Sequence, residues 1–196
     1  GDRGRPGRRA VLRVGSMPVP ALGSLRCVPA LERPDLLAGP VASALRSCPN
    51  ADEVAVTEID PDLADTAALT EAYDLPLSAS ANCVVVSGRR GGEERIAACV
   101  VRADTRADVN NLVKRTLDVR KASFLPTDRA VEETGMEYGG ITPVGLPAGW
   151  RLLVDASVLD IDVAVIGSGV RRSKLLLAGR DLAELPGVEV LEGLGL

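Results

Sequence analysis

Three glycines fall within seven residues in the run Gly139-Gly140-Ile141-Thr142-Pro143-Val144-Gly145. Glycine admits positive φ and lets a backbone come close to another group. Successive N–H groups in such a loop can converge on an anion, or on the oxyanion that develops when an ester is attacked. The same composition also fits a plain β-turn. A second glycine turn, Gly167-Ser168-Gly169, is half of a GxGxxG phosphate-binding pattern. Position 172 is arginine, however, and the apolar run Leu175-Leu176-Leu177 reads as a strand where that pattern needs a helix, so a tight turn between strands is the better reading. Arg171, Arg172 and Lys174 follow it, either as a solvated basic turn or as the cation for a bound anion. Thr142 either hydrogen-bonds a ligand or caps its own loop, and Asp155 either lines a pocket or caps a turn.

What is missing narrows the chemistry further. The chain has no histidine, which removes His-based triads, HExxH zinc sites and imidazole bases. No Walker A pattern is present, and the carboxylates form no recognisable metal or glycosidase constellation. Cys27, Cys48, Cys83 and Cys99 are too far apart for paired zinc ligands and too few for a disulfide scaffold. They read as reduced cytosolic thiols, mostly buried. Cys83, with no base beside it, is expected to stay protonated and inert. Trp150, Tyr73, Tyr138 and Phe124 are the only aromatics, too few for a sheet that stacks bases.

Net charge is −4 over 196 residues, unevenly placed. Residues 1–26 hold six arginines against Asp2, for +5, which leaves −9 on the remainder. Such a body is a poor non-specific binder of nucleic acid, so any RNA contact has to be local. No run approaches 18 consecutive apolar residues, so no membrane span is expected. The apolar part of the Arg-rich start is broken by Arg13, Pro18 and Pro20, which argues against a signal peptide.

These residues need elements to position them. Residues 1–33 are rich in Gly, Pro and Arg and read as a tail and linker, with residues 34–196 as one domain. Pro40 opens a short helix, Glu53 to Ile59 alternates as a strand, and Asp60-Pro61 starts a helix through Leu63, Ala67 and Ala68. Cys83–Val86 and Ile96–Val101, joined by the turn Gly88–Gly92, predict a hairpin buried on both faces. Thr105 and Asp108 form a capping-box pattern for a helix along Val109, Leu112, Val113 and Leu117. Lys121–Leu125 reads as a strand, and Thr127 caps a helix that Gly135 ends. Leu152–Val154, Val163–Ile166, Leu175–Leu177 and Val188–Leu191 read as strands, with a short helix at Asp181–Leu185. Strands outnumber helices without regular alternation, which favours an α+β fold with a mixed sheet.

Three motifs in order carry a resemblance: Lys121-Ala122-Ser123-Phe124, Glu132-Glu133-Thr134-Gly135, and the Gly139–Gly145 loop. They resemble the K-x-S-F/M strand, the E-x-T/L-G helix end and the G-G-[IV]-[ST]-P-F-G loop of the YbaK family. That family comprises the editing domain of bacterial prolyl-tRNA synthetase and its free-standing relatives. Leu152-Leu153-Val154-Asp155 and Gly167-Ser168-Gly169 resemble its acid-ended strand and late glycine turn, so the resemblance covers roughly residues 50–194. It implies a mixed, partly barrel-like β-sheet flanked by short helices, and a cytoplasmic trans-editing hydrolase that deacylates mischarged aminoacyl-tRNA without cofactor or metal. The implied partner is the aminoacyl-tRNA acceptor end. The family's GxxxP loop, matched by Gly139 and Pro143, holds the terminal adenosine and the aminoacyl group through its backbone.

The expected catalytic set is therefore Gly139, Gly140, Thr142 and Asn82. The expected substrate-binding set is Ile141, Pro143, Val144, Gly145, Asp155, Gly167, Ser168, Gly169 and Arg171. Asn82 marks a departure, because the family's central strand begins with lysine in a K-[ST]-L-V pattern and this chain has Asn82-Cys83-Val84-Val85. Either hydrolysis is slow, or another cation serves, or the chain binds without cleaving. In the last case it is a weak or inactive binding module of the same fold.

Overall fold

The longest ladder of the molecule is the predicted hairpin. The computed structural model describes residues 19–196, and within it β3 (Ala81–Arg90) and β4 (Glu93–Arg102) pair antiparallel from Ala81↔Arg102 to Arg90↔Glu93. The turn is the two-residue Gly91-Gly92, both at positive φ (58° and 81°), as a tight hairpin of this twist requires. The predicted turn began at Gly88, but the strand runs through that residue. A Cβ there would meet Val119 and the Lys121 carbonyl at 2.5 and 2.6 Å, so Gly88 serves the close approach of the neighbouring segment rather than a bend.

Before the hairpin come β1 (Cys27–Pro29), α1 (Gly39–Arg46), β2 (Ala55–Glu58) and α2 (Thr66–Ala72). After it come a π-turn at Val109–Val113 running into α3 (Lys114–Leu117), β5 (Ala122–Phe124), α4 (Thr127–Thr134) and β6 (Arg151–Asp155). The chain ends with β7 (Ala164–Gly167), β8 (Ser173–Leu177) and β9 (Val188–Leu191). One sheet has the order β1-β2-β8-β7 and the other β5-β3-β4-β6-β9. The second is mixed, because β6 pairs parallel with β4 and β9 parallel with β6. The fold is α+β with short helices, as expected; among the described residues the strands form two sheets and no closed barrel. A single parallel bridge, Ser80↔Val165, ties the start of β3 to β7.

The three largest of four apolar clusters among the described residues hold this together, the fourth being Val85, Ile96, Leu125 and Ala130. The main core packs α1 (Val41, Leu45) against one face of each sheet (Val56, Ile166 and Leu175; Val100 and Val154). Val109–Leu117 covers the other face of the mixed sheet through Val113 and Leu117 on Cys99, Val101 and Leu153. α2 covers the outer face of the antiparallel sheet through Leu69 on Val165 and Leu176. Alternate β4 residues thus enter different cores, which is why its run Ile96–Val101 is apolar without alternation.

Local predictions fail where a neighbour outbids the local pattern. Cys27–Pro29, placed in the tail by composition, pairs with Ala55–Thr57 at the sheet edge, and Ala30 is fully buried. The part of the predicted tail before residue 19 lies outside the described residues. Asp60 caps only the 3-10 turn Pro61–Leu63, accepting from Asp62 N at 3.0 Å; the helix proper starts at Thr66, where Asp65 accepts from Ala67 N at 3.2 Å. Thr105 is no cap, since its hydroxyl donates to Arg102 O at 2.7 Å and closes the turn after β4. Thr127 also does no capping, because Pro126 holds the cap position, while Gly135 ends α4 at φ 69° as predicted.

Candidate functional site

The Ser80–Val165 seam sets the start of β3 beside β7, and a cavity of about 510 Å³ opens there. β3 contributes Asn82, Cys83 and Val84; β7 and β8 contribute Val165, Ile166, Gly167 and Lys174; the helix side contributes Asp65, Thr66 and Leu69. Gly139 and Ile141 of the glycine loop complete the wall, with Tyr138 (65 % exposed) and Arg171 beside them. The two glycine-rich segments and Asn82, far apart in sequence, therefore share one hollow.

The glycines do this mainly by touching one another. Gly169 N donates to Gly140 O at 2.7 Å and Glu137 N to Gly169 O at 2.8 Å. A Cβ on Gly140 would sit 2.8–2.9 Å from the backbone of Gly169 and Val170, and one on Gly167 2.6–2.7 Å from the carbonyls of Gly140 and Ile141. Gly145, at φ 84°, packs on the Pro40 carbonyl at the start of α1. Arg171 braces the same joint: its amide donates to Glu137 Oε1 at 2.8 Å, Nη1 to Tyr138 O at 3.2 Å and Nη2 to Pro61 O at 3.1 Å. Gly140 N is spent on Glu137 O, whereas among the described residues the amides of Gly139 and Ile141 donate to no acceptor.

The cavity is polar on one side. Thr66 Oγ1 donates to Asn82 Oδ1 at 3.2 Å, which assigns the amide orientation and leaves the Nδ2 donors unpaired among the described residues. Lys174 is only 9 % exposed. Burial, with Arg171 nearby, pushes its ammonium below the ordinary lysine range, against the opposing pull of Asp65. Ser80 Oγ is buried with no partner. Burial drives the Cys83 thiol far up and the Cys99 thiol to about 12, so neither is a thiolate at neutral pH, as the sequence led us to expect.

Of the predicted residues, Asn82, Gly139, Ile141, Gly167 and Arg171 line the cavity. Gly140, Pro143, Val144, Gly145 and Gly169 stand behind it as the packing of the two turns. Thr142 is wholly buried and its hydroxyl finds no partner, so it neither caps its loop nor reaches the hollow. Ser168 donates to Val170 O and Ser173 O, both at 3.1 Å, in a buried hydroxyl cluster. Asp155 is occupied elsewhere: Oδ1 accepts from Leu194 N at 3.0 Å and Gly195 N at 3.2 Å, while Oδ2 accepts from the amide and hydroxyl of Ser157. The turn-capping alternative holds for it. Sequence reading missed Asp65, Thr66, Leu69, Ser80 and Tyr138. It offered Lys174 either as a solvated basic turn or as a cation for a bound anion; the structure buries it in the cavity wall, and a lysine at the head of an apolar strand was the available signal.

Comparison with known proteins places this geometry. A family model described as aminoacyl-tRNA editing domain matches residues 60–185. The chain is 27% identical over 129 residues to the uncharacterized protein YwhH of Bacillus subtilis (strain 168), covering 66% of this chain and 79% of that protein. It is also 27% identical over 109 residues to proline--tRNA ligase of Listeria monocytogenes serotype 4a (strain HCC23), covering 55% of this chain but only 18% of the ligase. Among solved structures, a candidate trans-editing enzyme for prolyl tRNA synthetase shares the fold with a TM-score of 0.67 at 19% identity, over 79% of this chain and 94% of that one. A hypothetical protein, with a TM-score of 0.64 and 22% identity over 72% of this chain and 90% of its own, shares it as well. From the matched span, which takes in the helix side of the cavity, Asn82 and both glycine turns, the chain belongs to the aminoacyl-tRNA editing domain family.

Proposed function

We propose that the chain hydrolyses the ester between a wrongly attached amino acid and the terminal ribose of tRNA, acting in trans. The observation that carries this reading is that Asn82 and the Gly139 loop face one cavity, with the amides of Gly139 and Ile141 unspent. The terminal adenosine lies against Gly139, Gly167 and Arg171, and the acyl group enters between β3 and β7. The carbonyl oxygen accepts from the Gly139 and Ile141 amides and from Asn82 Nδ2. Water attacks the carbonyl carbon, the oxyanion is held by those donors, and the free hydroxyl of the ribose relays the proton to the departing ribose oxygen. The C–O bond breaks, giving the free amino acid and tRNA with its ribose hydroxyl restored. No imidazole is needed, and each lost donor costs about 2.7–4 kcal/mol of transition-state stabilisation. Gly140, Thr142, Pro143, Val144, Gly145, Ser168 and Gly169 serve by fixing the loop rather than by touching substrate, and Asp155 by anchoring residues 194–195.

The test is acyl release from a panel of mischarged tRNAs incubated with pure protein. Release above the buffer rate on at least one of them is expected; its absence on all sinks the reading. Asn82 favours one alternative, a module that binds the charged acceptor end without cleaving it, because a neutral donor makes hydrogen bonds about half as strong as an ammonium. Saturable tRNA binding with no acyl release would put that alternative first.

A further inference from the structure

Of the four aromatic side chains, one is both exposed and at the cavity. Tyr73 is half-buried, and its hydroxyl accepts from Asp60 N at 3.2 Å. Trp150 packs on the small cluster of Val85, Ile96, Leu125 and Ala130. Phe124 is 62 % exposed on β5 and does not line the cavity. Tyr138 does line it, beside Gly139, and belongs to none of the apolar clusters.

The ring stands on a fixed root. Glu137–Gly140 is a turn closed by Gly140 N on Glu137 O at 2.9 Å, with Gly139 at φ 82° in the third place, where such a turn requires glycine. Arg171 Nη1 holds the Tyr138 carbonyl, and Gly169 O holds the Glu137 amide. A tyrosine has two side-chain torsions, so it loses little freedom when a ligand settles on it. The Arg171 guanidinium lies alongside, with Nη1 2.5 Å from the point a Gly139 Cβ would occupy. Aromatic rings and guanidinium planes both take nucleobases by stacking. The place agrees with the chemistry next to it. The unspent Gly139 amide, one residue on, is where the reaction proposed above holds the ester carbonyl. Base and ester hang from one ribose, so with the ester at residue 139 the base falls at the mouth, a sugar's width away.

We propose that the Tyr138 ring is the platform on which the nucleobase of the terminal nucleoside stacks, flanked by the Arg171 guanidinium. The proposal rests on the editing reading, which supplies the nucleoside. Every base offers a π-face, so the contact gives affinity for the acceptor end rather than a reading of base identity.

The test uses the full chain and two non-hydrolysable analogues. One is adenosine carrying a 3′-glycylamide, the smallest acyl group; the other is the same sugar and amide with hydrogen in place of the base. The wild type is expected to bind the base-bearing analogue at least about tenfold tighter, as one base–aromatic stack supplies. Tyr138→Ala is expected to lose about tenfold on the base-bearing analogue, and the loss is expected to vanish on the base-free one. Tyr138→Phe, which keeps the ring, is expected to rescue the affinity, with folding of both variants checked by thermal melting. Equal wild-type affinities for the two analogues overturn the proposal, as does failure of both to bind. So does a Tyr138→Ala protein that keeps its affinity or weakens both analogues alike, or a Tyr138→Phe protein as weak as Tyr138→Ala. Acyl release from the mischarged tRNA panel is measured in parallel. Base-dependent binding with no ester cleaved sinks the editing chemistry and leaves the platform standing. Cleavage with no dependence of binding on the base does the reverse.

Discussion

Asn82 is held as well as placed. Thr66 takes its carbonyl oxygen, so the side chain presents donors to the cavity from a fixed position at the start of β3. Asn82→Asp keeps the shape and turns those donors into a negative acceptor. A developing oxyanion would then meet repulsion, and the deacylation rate is expected to fall by about 10²–10³-fold, the usual cost of one lost oxyanion donor. The thermal midpoint should barely move, because the residue is half-buried at a cavity wall. Single-turnover release from a charged tRNA, with a melt as control, reads both; an unchanged rate takes Asn82 out of the site. Asp155 shows why such roles are only partly legible in sequence. A strand-ending carboxylate looks the same whether it meets a ligand or a turn. Here Leu194 and Gly195, about forty residues away, decide it. Lys174 was harder still, since its burial depends on α2 packing over the outer face of β8.

At the level of elements, the two glycine turns form one joint, and the site inherits its geometry from it. Gly140→Ala would drive a methyl into the backbone of Gly169 and Val170. The turns must separate, and overpacking of this kind typically costs about 1–3 kcal/mol. Moving the Gly139 and Ile141 amides should also slow acyl release more than the lost stability explains. Gly39→Ala, at a site with open space around the added methyl, serves as the control and should leave both unchanged. Chemical unfolding and single-turnover rates on the two variants check this; a Gly140→Ala protein with native stability would dissolve the joint. The sequence showed these glycines as a loop awaiting a ligand, whereas most of them are spent on backbone contacts with each other and with α1. The hairpin and the later strands were legible because apolar runs and turn glycines are local. β1 was not, because three residues at a sheet edge carry no period, and neither was the π-turn that begins the Val109–Leu117 helix.

The whole molecule presents an acidic body and an arginine-rich start. Residues 1–26 carry +5 and the rest −9. Within the described part the cavity gathers Arg171 and Lys174 against Asp65, a local positive surplus in a negative surround. By charge alone, the arginines of residues 1–26 are the place to test for contact with the body of a tRNA. Replacing Arg3, Arg5, Arg8, Arg9 and Arg13 by glutamine in the full chain is expected to weaken tRNA binding and flatten its salt dependence. Every phosphate left without its arginine lowers the slope of log K against log salt by about 0.7–0.9. Hydrolysis of a minimal aminoacyl-adenosine ester, which reaches only the cavity, should be unaffected. If instead tRNA affinity and its salt slope survive the five substitutions, the phosphates are met by the acidic body after all. The exposed pairs there, such as Arg90 with Asp118, would then have to open to meet phosphate.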